Sequence, residues 1–391
     1  MLHICIREIF GVVHHTTTFL PDCKQINIHL LTKDTYTLGY SVGNLGLVEK
    51  FINNTMQISA TYCLSSFLDL IKAVKQKKWL SWGIGILVVF CNVRIADGQQ
   101  TFRLYTDTAP NFNQSYIGPE KKMVTVQRHG KDTTYVKQIK YEPSLTMYVP
   151  NKKAKKGDGT AVIVIPGGGY SDVLTQMEGV STANRLVQEG ITVFVLLYRV
   201  PNEAVLTNKA IVPMQDAQRA IQLVRERAKE FGLHPNKIGV LGYSAGGHLA
   251  ACVSTHFNEC YIDNKQQTSL RPDFSALVYP VISFKDSITH KYSRLQLLGS
   301  NATSEAILQF SNEMHVTSST PPAFLVHSID DAQVKIANSL LYASACLQQK
   351  VPVELFVYEH GKHGFATYNP LANLQWTESF VDWLRKYKWI K

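Results

Sequence analysis

The sequence predicts an α/β fold, a mostly parallel central sheet with helices on both faces. Two observations predict it. From Thr160 onward, short apolar runs alternate with segments whose apolar residues recur at helical spacing. The runs are apolar almost throughout, which marks strands covered on both sides rather than strands facing water. A third observation fixes one junction: the pentapeptide Gly242-Tyr243-Ser244-Ala245-Gly246 lies directly between such a strand and such a helix.

The elements follow in order. Ala161 to Ile165 reads as a strand, Val180 to Glu189 as a helix and Thr192 to Tyr198 as a strand. Pro213 to Phe231 is helical: Ala217, Ala220, Ile221, Val224 and Ala228 share a face, and proline suits a first turn, where its missing N–H has no partner to lose. The run from Ile238 is the strand before the pentapeptide, and Ala245 to Ser254 the helix after it. Strands at Ala276 to Tyr279, Ala323 to His327 and Val353 to Tyr358, with helices at Val334 to Gln348 and Trp376 to Lys388, complete the series. Upstream, Met123 to Val126 and Leu145 to Val149 are β-like and are expected to add antiparallel strands at the edge of the sheet. There is no internal repeat.

The 391 residues are 45% hydrophobic and 18% charged, an ordinary globular balance. The net charge of +10 gathers partly in Lys152, Lys153, Lys155 and Lys156. No aromatic residues interleave them, so they read as a solvated loop rather than a nucleic-acid surface. Cys5, Cys23, Cys63, Cys91, Cys252, Cys260 and Cys346 form neither a metal-binding spacing nor a disulfide framework. Cys252 and Cys260 are each expected to be buried free thiols.

Lys72, Lys75, Lys77 and Lys78 precede an apolar run from Trp79 to Phe90, and Ala96-Asp97-Gly98 offers small residues at the positions a signal peptidase reads. The run is shorter than the ~20 residues of a comfortable transmembrane helix. Residues 72–98 therefore read as a secretory signal cleaved before Gln99, placing the mature protein outside the cell or in the periplasm, with no stable membrane span. Residues 1–71 read as a poorly defined N-terminal extension, with Met56 a candidate start. His14-His15 lie in it and are not metal ligands. Residues 99–391 are then one catalytic domain, a size that suits a single α/β unit.

The pentapeptide is the candidate centre of chemistry. A serine on a tight strand-to-helix turn needs small residues two before and two after it, and the turn presents its hydroxyl above the sheet. The following helix aims N-terminal amides at developing negative charge. In this architecture the acid and then the base follow the serine along the chain. Asp330-Asp331 come directly after the strand at Ala323, and Asp331 is favoured as the acid, Asp330 being equally able to cap the next helix. Of the remaining histidines, His363 in Gly361-Lys362-His363-Gly364-Phe365 is favoured as the base, and His360 is expected to orient the loop or face solvent. Pro166-Gly167-Gly168-Gly169-Tyr170 offers bare backbone after a strand; Gly168, Gly169 and Ala245 are the expected oxyanion donors. No Lys-Ser/Thr follows these glycines, which excludes a Walker site. Tyr170 and Tyr243 flank the site and are candidates to line the substrate pocket. Asp216 and Arg219 read as surface or packing contacts, and His248 as a satisfied helix residue.

With these motifs in place, the chain resembles the α/β-hydrolase superfamily. Within it, the sequence is similar to carbohydrate acetyl esterases of the acetylxylan esterase group and to related bacterial feruloyl esterases. The likeness runs through Ile165-Pro166-Gly167-Gly168-Gly169-Tyr170, Gln215-Asp216-Ala217-Gln218-Arg219-Ala220, Gly242 to Leu249, Asn338-Ser339-Leu340, Val351 to Leu355 and Gly361 to Phe365. It covers roughly residues 105–388. The chain departs from the group at Lys335-Ile336, where such sequences commonly carry proline; its glycine loop stands where the His-Gly-Gly-Gly motif of esterases would, with Pro166 in place of that histidine. The resemblance implies an α/β-hydrolase fold and removal of acetyl or other short acyl groups from plant polysaccharide such as xylan, with no metal or cofactor.

Three rivals remain. A prolyl-oligopeptidase-type peptidase shares the motifs, but it usually carries a propeller for which this chain has no room. A lipase would more often show a long apolar lid, and none is evident. An inactive hydrolase fold serving as a binding module is the third.

Overall fold

The computed structural model describes residues 99–391 apart from 117–120, 129–130, 139–141, 152–153 and 156, together with four short strands nearer the N-terminus; for residues 121–138 it describes backbone pairing alone. The chain divides into two units, Met1–Val93 and Arg94–Lys391. In the first, β1 (Ile4–Cys5), β2 (His15–Thr18), β3 (Ile26–Leu31) and β4 (Thr37–Val42) pair antiparallel in that order. The expected signal at 72–98 and Met56 lie outside the described residues.

The second unit is built on an eight-stranded sheet. Its strands are β5 (Gln99–Arg103), β8 (Ser144–Tyr148), β9 (Ala161–Ile165), β11 (Thr192–Leu197), β12 (Ile238–Tyr243), β13 (Ser275–Val278), β14 (Ala323–Ser328) and β15 (Val353–Tyr358). The order is β15-β14-β13-β12-β9-β11-β8-β5. Pairing is parallel from β15 to β11 and antiparallel at the β8–β5 edge. The sheet is an α/β-hydrolase sheet.

Side-chain alternation explains why both faces are apolar. Ala161, Ile163 and Ile165 enter one core with residues of α2 (Val212–Glu226), α3 (Ser244–Thr255) and α6 (Ala337–Gln348). Val162 and Val164 enter the other, with α1 (Ser181–Leu186) and α7 (Trp376–Lys386). Each strand residue thus meets a helix whichever way it points.

Four expectations are corrected. Met123 to Val126 does not join the main sheet: β6 (Lys121–Arg128) pairs with its sequence neighbour β7 (Lys131–Gln138), which in turn takes up β10 (Asp172–Val173). The short loop favours that local hairpin over a distant edge. The helix expected to reach Phe231 ends at Glu226, and the chain reverses at Gly232, whose φ of +68° is left-handed. The helix expected from Val180 is entered through a π-helical turn, Thr175–Val180. Two further helices, α4 (Lys291–Leu298) and α5 (Ser304–Gln309), fill a stretch with no sequence signal. Cys252 is buried and free, whereas Cys260, expected to be buried, is exposed. Among the described residues no helix is long and apolar enough to cross a membrane.

The strand order places the site. From β9 the chain moves outward to β11, then returns to β12 on the other side of β9. The crevice at such a reversal, above the carboxyl ends of the strands, is open to ligands. The glycine loop follows β9 and Ser244 follows β12, so the two flank that crevice.

Candidate active site

Ser244 is the first residue of α3 and has a φ of +51°, left-handed for a residue with a side chain. The turn is that tight because its glycines allow it. A Cβ on Gly242 would lie 2.2 Å from the Gly246 oxygen, and one on Gly246 would lie 2.2 Å from the Ile165 oxygen. Strained backbone held by its surroundings is characteristic of functional turns.

His363, in the loop after β15, spans the gap between Ser244 and Asp331. Its Nε2 lies 3.0 Å from Ser244 Oγ, and its Nδ1 lies 2.7 Å from Asp331 Oδ2. A carboxylate only accepts, so Nδ1–H donates to Asp331 and the Nε2 lone pair faces the serine. The other Asp331 oxygen accepts from the Gln333 and Val334 amides, each at 2.9 Å, so one carboxylate both braces its own turn and meets the imidazole. Burial pushes the Asp331 carboxyl up, but hydrogen bonds from His327 and His363 outweigh burial and hold it well below the usual carboxylate range. His327 itself is fixed: its Nε2–H is shared between the Val334 carbonyl at 2.8 Å and Asp331 Oδ2 at 3.4 Å, which leaves Nδ1 to accept from Ser339.

Asp330 has a different task. Its Oδ1 accepts from the Gly361 amide at 2.9 Å and the Lys362 amide at 2.8 Å, tying down the loop that carries His363. His360 is largely exposed, and its carbonyl anchors that loop by accepting from Asn369.

On the opposite side, the Gly167 amide donates to Glu178 Oε2 at 2.6 Å. The amides of Gly168, Gly169 and Ala245 have no acceptor among the described residues. Gly168 and Gly169 line a cavity of about 400 Å³ together with Ser244 and His363. Leu174 and Met177 are its aliphatic lining residues, and Glu178, His290, Tyr292 and Gln333 are among its polar ones. Burial and the neighbouring His363 push the His290 imidazole below its ordinary value. Such an arrangement can take a proton from a hydroxyl, and its free amides can hold a carbonyl oxygen as that oxygen gains charge. Among the described residues no group of three or more His, Cys, Asp and Glu is placed to hold a metal ion.

The BD-FAE family profile matches residues 145–346, just over half the chain. The chain belongs to the BD-FAE family. It is 35% identical over 211 residues to the acetylxylan esterase of Xylanibacter ruminicola, an alignment covering 53% of this chain and 41% of that one. It is 33% identical over 230 residues to endo-1,4-beta-xylanase B of Butyrivibrio fibrisolvens, covering 58% and 35% respectively. The chain thus spans less than half the length of these curated relatives. A solved acetyl ester-xyloside bifunctional hydrolase from Caldicellulosiruptor lactoaceticus superposes with a TM-score of 0.57 at 36% identity, over 71% of this chain and 100% of that one. The matched region is a carboxylic ester hydrolase domain of the α/β-hydrolase fold.

Two residues expected in the substrate pocket of this BD-FAE member are not there. Tyr170 is buried, its hydroxyl 2.8 Å from His248 Nδ1, and Tyr243 is buried with its hydroxyl 2.6 Å from that of Thr182. Residues next to a tight turn alternate in direction, and these two point into the core. His248 is the satisfied helix residue expected, since Nε2–H donates to the Phe310 carbonyl at 2.8 Å. Asp216 is no surface group: its carboxylate and the Arg199 guanidinium, 2.6 Å apart, are both fully buried. Arg219 makes a packing contact, donating to the Leu104 carbonyl at 2.8 Å.

The sequence reading missed Glu178, His290, Tyr292 and Gln333. For Glu178 there was a signal, a lone carboxylate in the otherwise small and apolar Met177-Glu178-Gly179-Val180, where an unpaired charge would be costly. His290 and Tyr292 sit in the stretch that showed no period.

Proposed function

We propose that this chain is a serine esterase that removes short acyl groups, acetyl foremost, from plant polysaccharide such as xylan. The observation that carries the proposal is the contact between His363 Nε2 and Ser244 Oγ at 3.0 Å, with Nδ1–H held by Asp331. In the reaction we propose, Nε2 takes the Ser244 proton as Oγ bonds to the ester carbonyl carbon. The carbonyl oxygen becomes an oxyanion held by the amides of Gly168, Gly169 and Ala245. The intermediate collapses, the bond to the sugar oxygen breaks, and that oxygen leaves with the proton from Nε2. Water then repeats the sequence on the acyl-serine, releasing the carboxylic acid and restoring the serine hydroxyl. Asp331 stays ionised throughout and stabilises the imidazolium.

The cavity supports a short acyl group. Two aliphatic side chains, Leu174 and Met177, offer room for a methyl but not the apolar trench a long chain would need. The relatives named for acetylxylan esterase and xylanase activity support carbohydrate as the alcohol. We place the activity outside the cytoplasm on the strength of the signal-like residues 72–98, an assignment that a mature N-terminus at Gln99 would support.

The test is release of acetate against ferulate from acetylated and feruloylated xylan, alongside p-nitrophenyl esters of increasing chain length. Acetate release with steep loss beyond butyrate is expected. Preference for long chains favours a lipase, amide cleavage without acetate release a peptidase, and a Ser244 inert to fluorophosphonate an inactive binding module.

A further inference from the structure

We propose that a second groove, continuous with the active-site cavity past Tyr292, is a subsite for the sugar chain that carries the ester. The inference rests on the carbohydrate reading above and adds where the chain lies and which side chains hold it.

The groove, about 530 Å³, shares Ser171 and Tyr292 with the active-site cavity. A ligand whose ester carbonyl sits at Ser244 can therefore continue into it. One wall is a face of α4: Tyr292 and Gln296 are four residues apart, and Gly299 follows at the helix end. The facing wall is the loop Val200 to Glu203 after β11. That loop is anchored at its root, because the Arg199 amide and guanidinium both donate to the buried Asp216.

Four features select the occupant. Tyr292 is 47% exposed, a large aromatic residue at the junction of the two cavities. It is also held in place: a Cβ on Gly169 would lie 2.8 Å from the ring, so the glycine loop packs directly against it. A pyranose presents one face of C–H groups and a rim of hydroxyls, and it packs that face on an aromatic ring while the rim seeks polar partners. Those partners are present. The Asn202 side-chain nitrogen and the Gln296 amide have no hydrogen-bond partner among the described residues. Finally, the charges in the groove cancel, with Lys209 Nζ 2.7 Å from Glu203 Oε1. A neutral polar chain fits such a surface better than an anionic one. The volume accommodates a ligand of drug-like size, two sugar rings or so.

The test compares kcat/KM for acetate release from acetylated xylose, xylobiose and xylotetraose with that for p-nitrophenyl acetate, in the wild type and in Gln296→Trp and Tyr292→Ala. In the wild type kcat/KM is expected to rise about ten-fold from the monomer to the tetramer, the equivalent of one good contact. In both variants the ratio of tetramer to p-nitrophenyl acetate activity should fall by about the same factor. Fluorophosphonate labelling of Ser244 checks that each variant is folded; should one not label, the other and the wild-type length dependence decide. Equal activity on all lengths, or an unchanged ratio in a folded variant, overturns the groove while leaving the carbohydrate reading intact. Turnover of p-nitrophenyl acetate with no release from any acetylated sugar overturns the carbohydrate reading and the groove with it.

Discussion

The Tyr279 hydroxyl donates to Glu178 Oε1 at 3.0 Å while accepting from the Ala366 amide at 3.1 Å. Glu178 Oε2 meanwhile holds the Gly167 amide, and the Tyr279 ring packs on His363 with centroids 4.7 Å apart. A single buried carboxylate therefore connects the glycine loop to the loop that carries the imidazole. Both loops must keep their spacing for a carbonyl to fit between them.

Removing that connection should slow the chemistry. Glu178→Gln can still accept from Gly167, but its amide nitrogen then faces a hydroxyl that has lost its acceptor. Leaving such a group unsatisfied costs about 1–3 kcal/mol. We expect kcat on p-nitrophenyl acetate to drop about 10- to 100-fold, KM to change little, and Glu178→Ala to be worse. Equal kcat in wild type and Glu178→Gln would refute the positioning role.

The two neighbouring aspartates should separate cleanly. Asp331→Asn loses the acceptor that fixes the His363 tautomer, and kcat should fall about 10³- to 10⁴-fold. Asp330→Asn keeps an oxygen for the Gly361 and Lys362 amides and should cost about 10-fold or less. Steady-state kinetics on one small ester, with matched melting temperatures, distinguish them. A larger loss at Asp330 would reverse the assignment.

The buried Arg199–Asp216 pair should matter for stability rather than for the chemical step. Asp216→Ala leaves a fully buried guanidinium without its carboxylate, a change that costs about 3–5 kcal/mol. Tyr105, whose hydroxyl donates to Asp216 at 3.0 Å, loses its partner too. Urea unfolding should show the midpoint shift, and a shift worth under ~1 kcal/mol would contradict it.

His248 should give the fold a pH dependence. Burial pushes its imidazole from 6.5 down to about 4. Between those values the unfolded chain binds more protons, so this contribution is complete above pH 6.5 and is lost as pH falls to about 4. The shift is worth roughly 3 kcal/mol. His248→Phe, which keeps the stacking on Phe284, should be less stable at pH 7 but lack that slope. Parallel stability–pH curves for the two proteins would exclude the assignment.

The strands and the serine turn were readable because their causes are local. Unbroken β-branched runs such as Val162 to Ile165 permit few alternatives, and Gly242 and Gly246 flank the serine at a junction where neither could carry a Cβ. The order of serine, acid and imidazole along the chain narrowed the rest to Asp330, Asp331, His360 and His363. What stayed hidden depends on contacts between distant segments. Nothing local says that Tyr170 turns towards His248, seventy-eight residues away, instead of towards a ligand. Nor does composition reveal that Tyr292 lies against Gly169, since neither residue's neighbours show a helical or strand period around position 292. The hairpin at β6 and β7 was misplaced for the opposite reason: β propensity is local, but the choice of partner strand is not.

Because β9 lies between β11 and β12, the amides of Gly168 and Gly169 and the oxygen of Ser244 belong to segments that become neighbours only when the middle of the sheet has assembled. A half-assembled chain would hold each fragment of the reactive centre and be inert. Covalent titration with an organophosphorus reagent therefore counts completed molecules, and the labelled fraction during refolding reports the closing of the sheet's central seam rather than the appearance of helices.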